Sequence, residues 1–443
     1  MVFLLFISCG QPPALDMCND GALPGRANQL AEILRADNHY FYTQNPAGVQ
    51  EKFSRLAADT FDWMRGTAAL WYYDLQYVGQ RRLSLSVPAT LAQRTTLLIG
   101  DPHPENLSTA FAVSNTLLDE DPSLAMEWID LDNATAGPFH FDLRRAMSSL
   151  VLFARTQSTC PSDCVSRLAS HLIESYRDTL FSIERANRIP QPPDSELVRM
   201  RLRAARTNGA NRKKFLKHTV ESEGKVSLRL TTNATNTEKR LVALKASERL
   251  EVIQLVRELS RSDPSVILLD AARRVGQGIS SLPATRFILL VQTELSRNPV
   301  LINAREVFDP PMIRTTMTGE QTGSRNNAER LELASTRLWS WRYADPYSHS
   351  IQLGHKTFKT LTWSSYFTAF DHEEFSPVVQ ADLDDLAAYI GYMLARSHGR
   401  GGHYRSEGTL GGLYDAVQSN LRALITYLSK AAEVDGIRFE SDR

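Results

Sequence analysis

Hydrophobic positions follow two different periods along the chain, and each period is typical of one kind of element. Apolar residues that recur every three or four positions predict amphipathic helices, mainly towards the two ends of the chain. These predicted helices span 27–35, 50–73, 141–154, 165–186, 246–260, 326–343, 382–398 and 410–432. Short β-branched and apolar runs predict strands, concentrated between residues 225 and 310. The predicted strands span 95–99, 107–113, 125–131, 225–231, 265–269, 285–292, 300–307 and 363–370.

This uneven distribution predicts an α+β fold with two lobes. Residues 28–197 and 380–443 are expected to form a mainly helical lobe, and 220–375 a smaller lobe that carries most of the strands in an antiparallel sheet. Layers of this kind bury their apolar faces and leave a cleft where the lobes meet. We therefore expect ligands to bind between the two lobes.

Composition and charge exclude several functional classes. The chain has 443 residues, of which 42% are hydrophobic and 23% are charged, as in ordinary globular proteins. Its net charge is zero, so no overall field attracts nucleic acid or an anionic membrane surface. A basic stretch over 199–217 favours a solvated helix face over a site for nucleic acid. No apolar run reaches the length of about 18 residues that predicts a transmembrane helix.

The N-terminus leaves two interpretations of the compartment open. The apolar run before Cys9 resembles the end of a bacterial lipoprotein signal, with Cys9 as the lipidated residue and 1–27 as signal and tether. The charged region that opens such signals is missing, so the alternative is a cytoplasmic protein with an apolar start. Cys160 and Cys164 are expected to form a local disulfide if the protein is exported and to remain thiols in a reducing compartment.

The segment Gly-Asp-Pro-His-Pro-Glu-Asn places Asp101 and Asn106 five positions apart. Phosphotransferases use this spacing in a loop whose aspartate takes the proton of the acceptor hydroxyl and whose asparagine holds a metal ion. A later apolar strand ends in Asp130, where such enzymes place a carboxylate that binds Mg²⁺, an ion that prefers oxygen ligands. We predict Asp101 as the base and Asn106 and Asp130 as metal ligands. The alternative is an ordinary Asp-Pro turn followed by an acidic strand end.

Three neighbours of these residues receive roles from the same pattern. Asp132 follows Asp130 by two positions and is a second candidate carboxylate for the metal. His103 is a candidate catalytic residue that contacts phosphate or braces the loop. Asp142 opens the next predicted helix, where it would cap that helix or accept hydrogen bonds from the backbone of the catalytic loop. We favour this structural role for Asp142 over direct chemistry.

A glycine pair further along the chain predicts where a nucleotide is held. Gly276 and Gly278, with Ser280, precede a predicted strand, and a Gly-x-Gly turn lets backbone N–H groups approach phosphate. The following strand carries Arg305, in the place where a kinase has the lysine that binds the α- and β-phosphates. We predict these four residues as the nucleotide site, with arginine in place of lysine.

The order of these motifs is permuted. Ordinary kinases have the glycine loop first, then the lysine, then the catalytic loop, whereas this chain has the catalytic loop first. Adjacent strand residues face opposite ways, so Glu306 is not expected to pair with Arg305. Glu329 or Glu332, on the next predicted helix, is the expected partner of Arg305.

At these motifs the chain resembles the DUF2252 family, a bacterial group of uncharacterised proteins. The resemblance covers residues from near 50 to near 400. Its matching elements are 61–67, 100–106, 130–134, 137–138, 141–145, 275–280 and 394–398. It implies a two-lobed protein-kinase-like fold, similar to that of the aminoglycoside and choline kinases, and supplies no substrate.

The leading functional hypothesis is an ATP- and Mg²⁺-dependent phosphotransferase that acts on a hydroxyl of a small molecule or a protein. A second hypothesis is a catalytically inactive kinase-like protein that binds a nucleotide or another ligand. Arg305 favours it, because it stands where the family usually has lysine, and export would favour it as well, because ATP is scarce outside the cytoplasm. Asn133 also departs from the family pattern, which has glutamate there. The glycine loop also lacks the third glycine of the family.

A third hypothesis is a metal-dependent phosphoesterase, since Gly-Asp-x-His occurs in such enzymes as well. Those sites need further histidine ligands at set spacings. The remaining candidate histidines are scattered without that spacing, at His140, His171, His372 and His398. The sequence therefore disfavours this class.

Overall fold

The computed structural model has an α+β fold in which a helical part lies beside a small antiparallel sheet, and this confirms the α+β part of the prediction. The structure describes residues 25–75, 87, 91, 94–111, 124–156, 160–231, 240–294, 296–311, 324, 326–339, 345–370, 378–401 and 410–443. Cys9 and His372 lie outside these residues, as does most of the expected tail over 1–27. The lipoprotein hypothesis therefore stays a prediction.

Helices make up most of the described residues. They are α1 (Arg26–Asp37), α2 (His39–Gln44), α3 (Pro46–Leu56), α4 (Thr60–Gly66), α5 (Ala68–Tyr73), α6 (His140–Thr156), α7 (Cys164–Glu184), α8 (Glu196–Ala210), α9 (Lys213–His218), α10 (Ala246–Ser262), α11 (Asn327–Leu338), α12 (Gln380–Gly401), α13 (Leu410–Ser419) and α14 (Leu421–Asp442). A short 3₁₀ turn covers Pro104–Asn106. The predicted helix over 410–432 is thus two helices, with the break at Asn420.

The strands form one six-stranded antiparallel sheet and three two-stranded pairs. They are β1 (Thr95–Leu98), β2 (Leu107–Phe111), β3 (Leu124–Trp128), β4 (Thr135–Pro138), β5 (Thr219–Ser222), β6 (Lys225–Leu228), β7 (Arg240–Val242), β8 (Ile267–Val275), β9 (Arg286–Thr293), β10 (Ser296–Val307), β11 (His349–Leu353) and β12 (Lys356–Thr362). The six-stranded sheet has the order β11-β12-β10-β9-β8-β7, and β1 pairs with β4 while β2 pairs with β3.

The main apolar core lies in the helical part, where α6, α7, α12 and α14 pack on one another. Their facing leucines and isoleucines are fully buried, as at Leu150, Leu172, Ile390 and Leu428. Burial of each such side chain stabilises the fold by roughly 1.5–3 kcal/mol, so this packing fixes α6 and α12 rigidly. Both helices carry residues that hold the catalytic loop.

The six-stranded sheet presents two different faces. Helix α10 covers one face, where Leu255 packs with Phe287 and Phe358. Residues of the opposite parity point the other way, since successive strand side chains alternate. That opposite face carries Arg286 and Arg305 and lines the cleft towards the helical part.

One predicted strand is wrong, and five strands escaped prediction, namely β4, β5, β7, β11 and β12. Residues 363–370 form no continuous strand: 365–366 are a turn, and Ala369 makes only an isolated bridge with Ser108. The Lys214 ammonium donates to the carbonyl oxygens of Ser364 and Phe367, at 2.6 and 3.2 Å. The strands at this end of the sheet are instead β11 and β12. Their polar sequence around the turn at Gly354 concealed the alternation that marks a strand.

Cys160 and Cys164 are joined by a disulfide at the start of α7, so that of the two expected states the structure has the oxidised one. Disulfides persist in oxidising compartments and are uncommon in the cytosol. In the described part of the chain, no helix combines the length and the apolar character needed to cross a bilayer.

Candidate functional site

The catalytic loop begins at a tight turn after β1, and Gly100 makes this turn possible. Gly100 has a φ of +86°, and a Cβ atom there would lie 2.1 Å from the carbonyl oxygen of Asn133. The Tyr72 hydroxyl donates a hydrogen bond of 2.5 Å to the Gly100 carbonyl. Only glycine adopts this backbone conformation without strain, so the turn fixes the direction in which Asp101 enters the cleft.

Replacing Gly100 with alanine is expected to destabilise the protein by about 2–3 kcal/mol, because a positive φ and a backbone clash add together. Gly224→Ala is the matched control, since Gly224 has a φ of +73° but no atom within 4 Å of the added Cβ. Urea unfolding measures both losses. Equal losses in the two variants would contradict a role for the close approach to Asn133.

Asp142, at the start of α6, holds the backbone of the loop. Its carboxylate accepts the Ile99 N–H at 2.7 Å and the Gly100 N–H at 3.0 Å. His398, from α12, lies 3.0 Å away through Nε2, and Tyr176 bonds the other ring nitrogen at 2.8 Å. The structural role predicted for Asp142 is confirmed, and the histidine that orients it comes from the far end of the chain.

Asp101 is buried and paired with a single guanidinium. The Nε atom of Arg145 donates to Asp101 Oδ1 at 2.8 Å, and Arg145 is itself held by the Met64 carbonyl at 2.6 Å and by the Trp71 ring. Burial raises the pKa of Asp101, and Arg145 opposes that rise. The carboxylate therefore has one oxygen fixed by Arg145 and a second that is placed to accept a proton from a hydroxyl.

His103 lies behind Asp101 and is almost fully buried. Its Nε2 atom is 3.8 Å from Asp101 Oδ2, and its ring meets Phe61 edge to face. Burial lowers the pKa of His103 well below its usual value, and the charges of Arg65 and Arg145 lower it further. A neutral imidazole at this point suits bracing of the loop better than the donation of a proton.

Asn106 connects the catalytic loop to the strand end that follows it. Its side-chain amide donates to the Asp101 carbonyl at 2.8 Å, and its own carbonyl accepts the Ile129 N–H at 3.0 Å. These two bonds bring Asp130 beside the loop, as the spacing predicted. Within the described residues the Asn106 Oδ1 atom accepts no hydrogen bond, so it remains available to a cation.

Asp130 and Asp132 meet Arg305 across the cleft. The guanidinium donates two bonds to Asp130, at 3.0 and 2.9 Å, and one to Asp132 at 2.5 Å. Burial favours the neutral acid at Asp130, but Arg305 outweighs it and keeps the pKa low, whereas burial raises the pKa of Asp132 to about 7. The expected pairing of Arg305 with Glu329 or Glu332 is wrong, because these aspartates lie closer to its strand face.

The oxygen donors beside Arg305 fit a divalent cation that a ligand helps to hold. No three His, Cys, Asp or Glu side chains converge as a metal site within the ranges that the structure describes. Two carboxylates and the Asn106 amide oxygen would therefore need phosphate oxygens to complete the octahedral coordination that Mg²⁺ prefers. A cation at Asp130 would also compete with Arg305 for the same carboxylate oxygens.

The glycine turn lies above these residues. Gly276 and Gly278 have φ values of +71° and +82°, which turn the backbone back into β9. The Gly276 carbonyl accepts a hydrogen bond from Arg55 at 3.3 Å, which ties the turn to α3. Gly278 and Ser280 line the cleft, whereas Gly276 does not.

One cleft of about 630 Å³ collects the predicted residues. Eight of the nine residues predicted for the catalytic, metal and nucleotide sites line this cleft, and Gly276 is the exception. The catalytic loop and the strand end contribute most of its acids, and the sheet contributes cations. The cleft thus brings the buried Asp101 carboxylate, three further oxygen donors and an arginine together, which is an arrangement suited to a phosphorylated ligand.

Several cleft residues were missed by the sequence interpretation. Arg286, Arg274 and Lys359 lie on the cleft face of the sheet, and Lys214 reaches it from α9. The available signal was the alternation of side chains along each strand, which indicates the residues that share one face of the sheet. Which strands are neighbours, however, depends on pairing that the linear sequence does not state.

Comparison with protein families supplies a match over most of the chain. A model of the family described as an uncharacterised protein conserved in bacteria, DUF2252, matches residues 44–437. The chain belongs to the DUF2252 family. No curated protein and no solved structure matches it.

The DUF2252 match includes every motif that carried the resemblance. Within this DUF2252 protein those motifs are distant in sequence and adjacent in space, as the contacts of Asp142 with His398 and of Asp130 with Arg305 illustrate. The family description assigns no activity, so the chemistry of the cleft is the basis for a functional proposal.

Proposed function

We propose that this protein is a Mg²⁺- and ATP-dependent phosphotransferase with a protein-kinase-like fold and a hydroxyl acceptor. The observation that carries the proposal is the meeting of Arg305 with Asp130, 175 positions earlier in the chain, beside the buried Asp101. A base, carboxylates for a metal and a cation for phosphates are the groups that phosphoryl transfer requires.

The order of elements supports a permuted kinase layout. In ordinary kinases the glycine loop, the strand with the cation, a helix and a linker precede the catalytic loop. Here β8, β9, β10, α11, β11, β12 and α12 follow that order. Helix α12, the last of these elements, contacts β1, the strand before the loop around Asp101, because the Thr96 hydroxyl donates to the His398 carbonyl at 3.1 Å.

Each residue has a defined task in this proposal. Asp101 accepts the proton of the acceptor hydroxyl, and Arg145 holds that carboxylate in position. Asn106 and Asp130 would hold Mg²⁺, which when bound neutralises charge on the phosphates. Arg305 then binds the phosphates with its planar guanidinium, which chelates two oxygens where lysine offers a single point charge.

Mg²⁺–ATP is expected to stabilise the wild-type protein against heat, and Asp130→Ala to lose most of that stabilisation. A ligand at a hundred times its dissociation constant adds roughly 2.7 kcal/mol to the free energy of unfolding. Asp178→Ala is the matched control, since Asp178 is an exposed carboxylate paired with its neighbour Arg177. Differential scanning fluorimetry with and without Mg²⁺ measures the shifts; an equal shift in Asp130→Ala and wild type contradicts the proposal.

A second candidate is a kinase-like protein that binds its ligand without transferring a phosphoryl group. Arg305 favours it, because its guanidinium occupies both Asp130 and Asp132. In that case Mg²⁺ would add nothing to nucleotide binding, and no ADP would form.

A further inference from the structure

Four basic residues lie in one line across the sheet. The strand register pairs Lys359 with Arg305, and Arg305 in turn with Arg286. Arg273 pairs with Phe287, which places Arg274 beside Arg286 on the next strand. We call Lys359, Arg305, Arg286 and Arg274 the basic row.

All four side chains of the basic row line the cleft. They share the sheet face opposite α10, because the apolar residues that contact α10 have the other parity, as at Phe287. Neighbouring strands lie about 4.8 Å apart, so four strands spread the row over roughly 14 Å. One phosphate group does not span that distance.

Two members of the basic row have no acidic partner in the described residues. Arg286 is 7% exposed, its Nε atom has no hydrogen-bond partner, and its Nη2 atom donates to the Ser281 hydroxyl at 2.6 Å. Arg274 bonds the Gln277 amide oxygen at 2.8 Å and stacks on Trp363. Carboxylates pair directly with Arg305, as described above. Arg286 feels the charges of Asp130 and Asp132 without a direct ion pair, and in the described residues Arg274 has neither.

Such a row is unfavourable without a counter-charge. Like charges directly opposite on adjacent strands repel, and a buried unpaired charge is costly. Burial lowers the pKa of Arg286 to about 10, with Arg305 adding to the effect, and lowers that of Arg274 to about 9, with Arg286 adding to it. Lys214 continues the line beyond Arg274 and shares the Trp363 ring.

We propose that the basic row binds a ligand with a linear chain of phosphate groups that lies across the strands from Arg305 to Arg274. The inference deepens the proposed function, since it assigns the class of phosphate donor to the same cleft. Such a phosphate chain occurs in two kinds of ligand, a nucleotide and an inorganic polyphosphate. The cations of the basic row extend further along the cleft than Arg305 alone. The position of Arg286 and Arg274 beside the glycine turn agrees with such a path.

The test uses the full chain in EDTA at fixed salt, with tripolyphosphate titrated by calorimetry against orthophosphate and ATP. Arg286→Gln and Arg274→Gln are each expected to weaken the binding of tripolyphosphate roughly tenfold, because each removes a charged hydrogen-bond donor. Arg257→Gln, on the exposed side of α10, is the charge-matched control and is expected to bind as the wild type does.

Stability without ligand separates a binding role from a structural one. If the basic row serves to bind an anion, Arg286→Gln and Arg274→Gln keep or gain thermal stability in the absence of ligand, since each removes a charge that has no direct ion pair. Unchanged affinity in both variants, or a fall in melting temperature of both below that of Arg257→Gln, overturns the proposal. Tighter binding of ATP than of tripolyphosphate identifies the nucleotide as the source, and the reverse identifies the inorganic chain.

The two proposals fail in different ways. Loss of Mg²⁺–ATP stabilisation in Asp130→Ala, with tripolyphosphate binding unaffected by Arg286→Gln and Arg274→Gln, overturns the basic row alone. Binding of tripolyphosphate that depends on both arginines, without any effect of Mg²⁺–ATP, overturns the proposed function and leaves the row intact.

Discussion

Asp101→Asn is expected to lower the rate of ADP formation from ATP roughly 10²- to 10⁴-fold, the usual contribution of a positioned general base. The amide is nearly isosteric with the carboxylate, and its oxygen still accepts from Arg145, so the loop should keep its shape. Only the ability to accept a proton is lost. Thermal stabilisation by Mg²⁺–ATP is therefore expected to match that of the wild type.

The pH dependence provides an internal check on the Asp101 prediction. Since burial raises the pKa of Asp101, turnover by the wild type should fall as the pH drops through that raised value and the base becomes protonated. The residual activity of Asp101→Asn should lack this acidic limb. A variant that turns over at the wild-type rate, or that keeps the limb, would show that another group accepts the proton.

Asp142→Ala is expected to lower the free energy of unfolding by about 3–5 kcal/mol. The substitution leaves two buried N–H groups, those of Ile99 and Gly100, without an acceptor and removes one of the two partners of the His398 ring. Losses of this size are typical when one partner of a buried polar network is removed. Guanidinium unfolding measures the total, and hydrogen exchange of the Ile99 and Gly100 amides localises it.

Asp415→Ala is the control for Asp142→Ala, because Asp415 is an exposed carboxylate paired with Arg185. Exposed pairs contribute little, so this variant should unfold within about 0.5 kcal/mol of the wild type. Asp142→Asn retains one acceptor oxygen and should fall between the two. Unchanged exchange at Ile99 and Gly100 together with unchanged global stability would mean that Asp142 does not support the loop.

Local patterns predicted the acidic half of the cleft well. Asp101, Asn106 and Asp130 lie within thirty residues of one another, and Asn106 links them through one side-chain and one backbone hydrogen bond. The order of the motifs, rather than the spacing of residues, predicted that Arg305 lies close to these acids. The partners of Arg305 were not predicted correctly. The sequence offers acids on α11 and acids at the strand end around Asp130, and only the three-dimensional arrangement shows that Arg305 pairs with the strand end.

The basic half of the cleft was harder to predict for a physical reason. Arg274, Arg286 and Lys359 become neighbours only through strand register, which is set by pairing across long loops. The stretch over 199–217 was interpreted as a solvated helix face, and much of it is exposed. Lys214 is nevertheless drawn inwards by two backbone carbonyls, a contact that no composition rule anticipates.

The bond between Asp142 and His398, which spans 256 positions, has a consequence for how the chain matures during translation. Synthesis proceeds from the N-terminus, so the ribosome finishes the loop around Asp101 long before it produces α12. Until that late helix emerges, the early segments expose apolar surface that has no cover, a state that is prone to aggregation. Expression of the first half alone would consequently yield an aggregation-prone fragment, because α12 is needed to complete the contacts of Asp142.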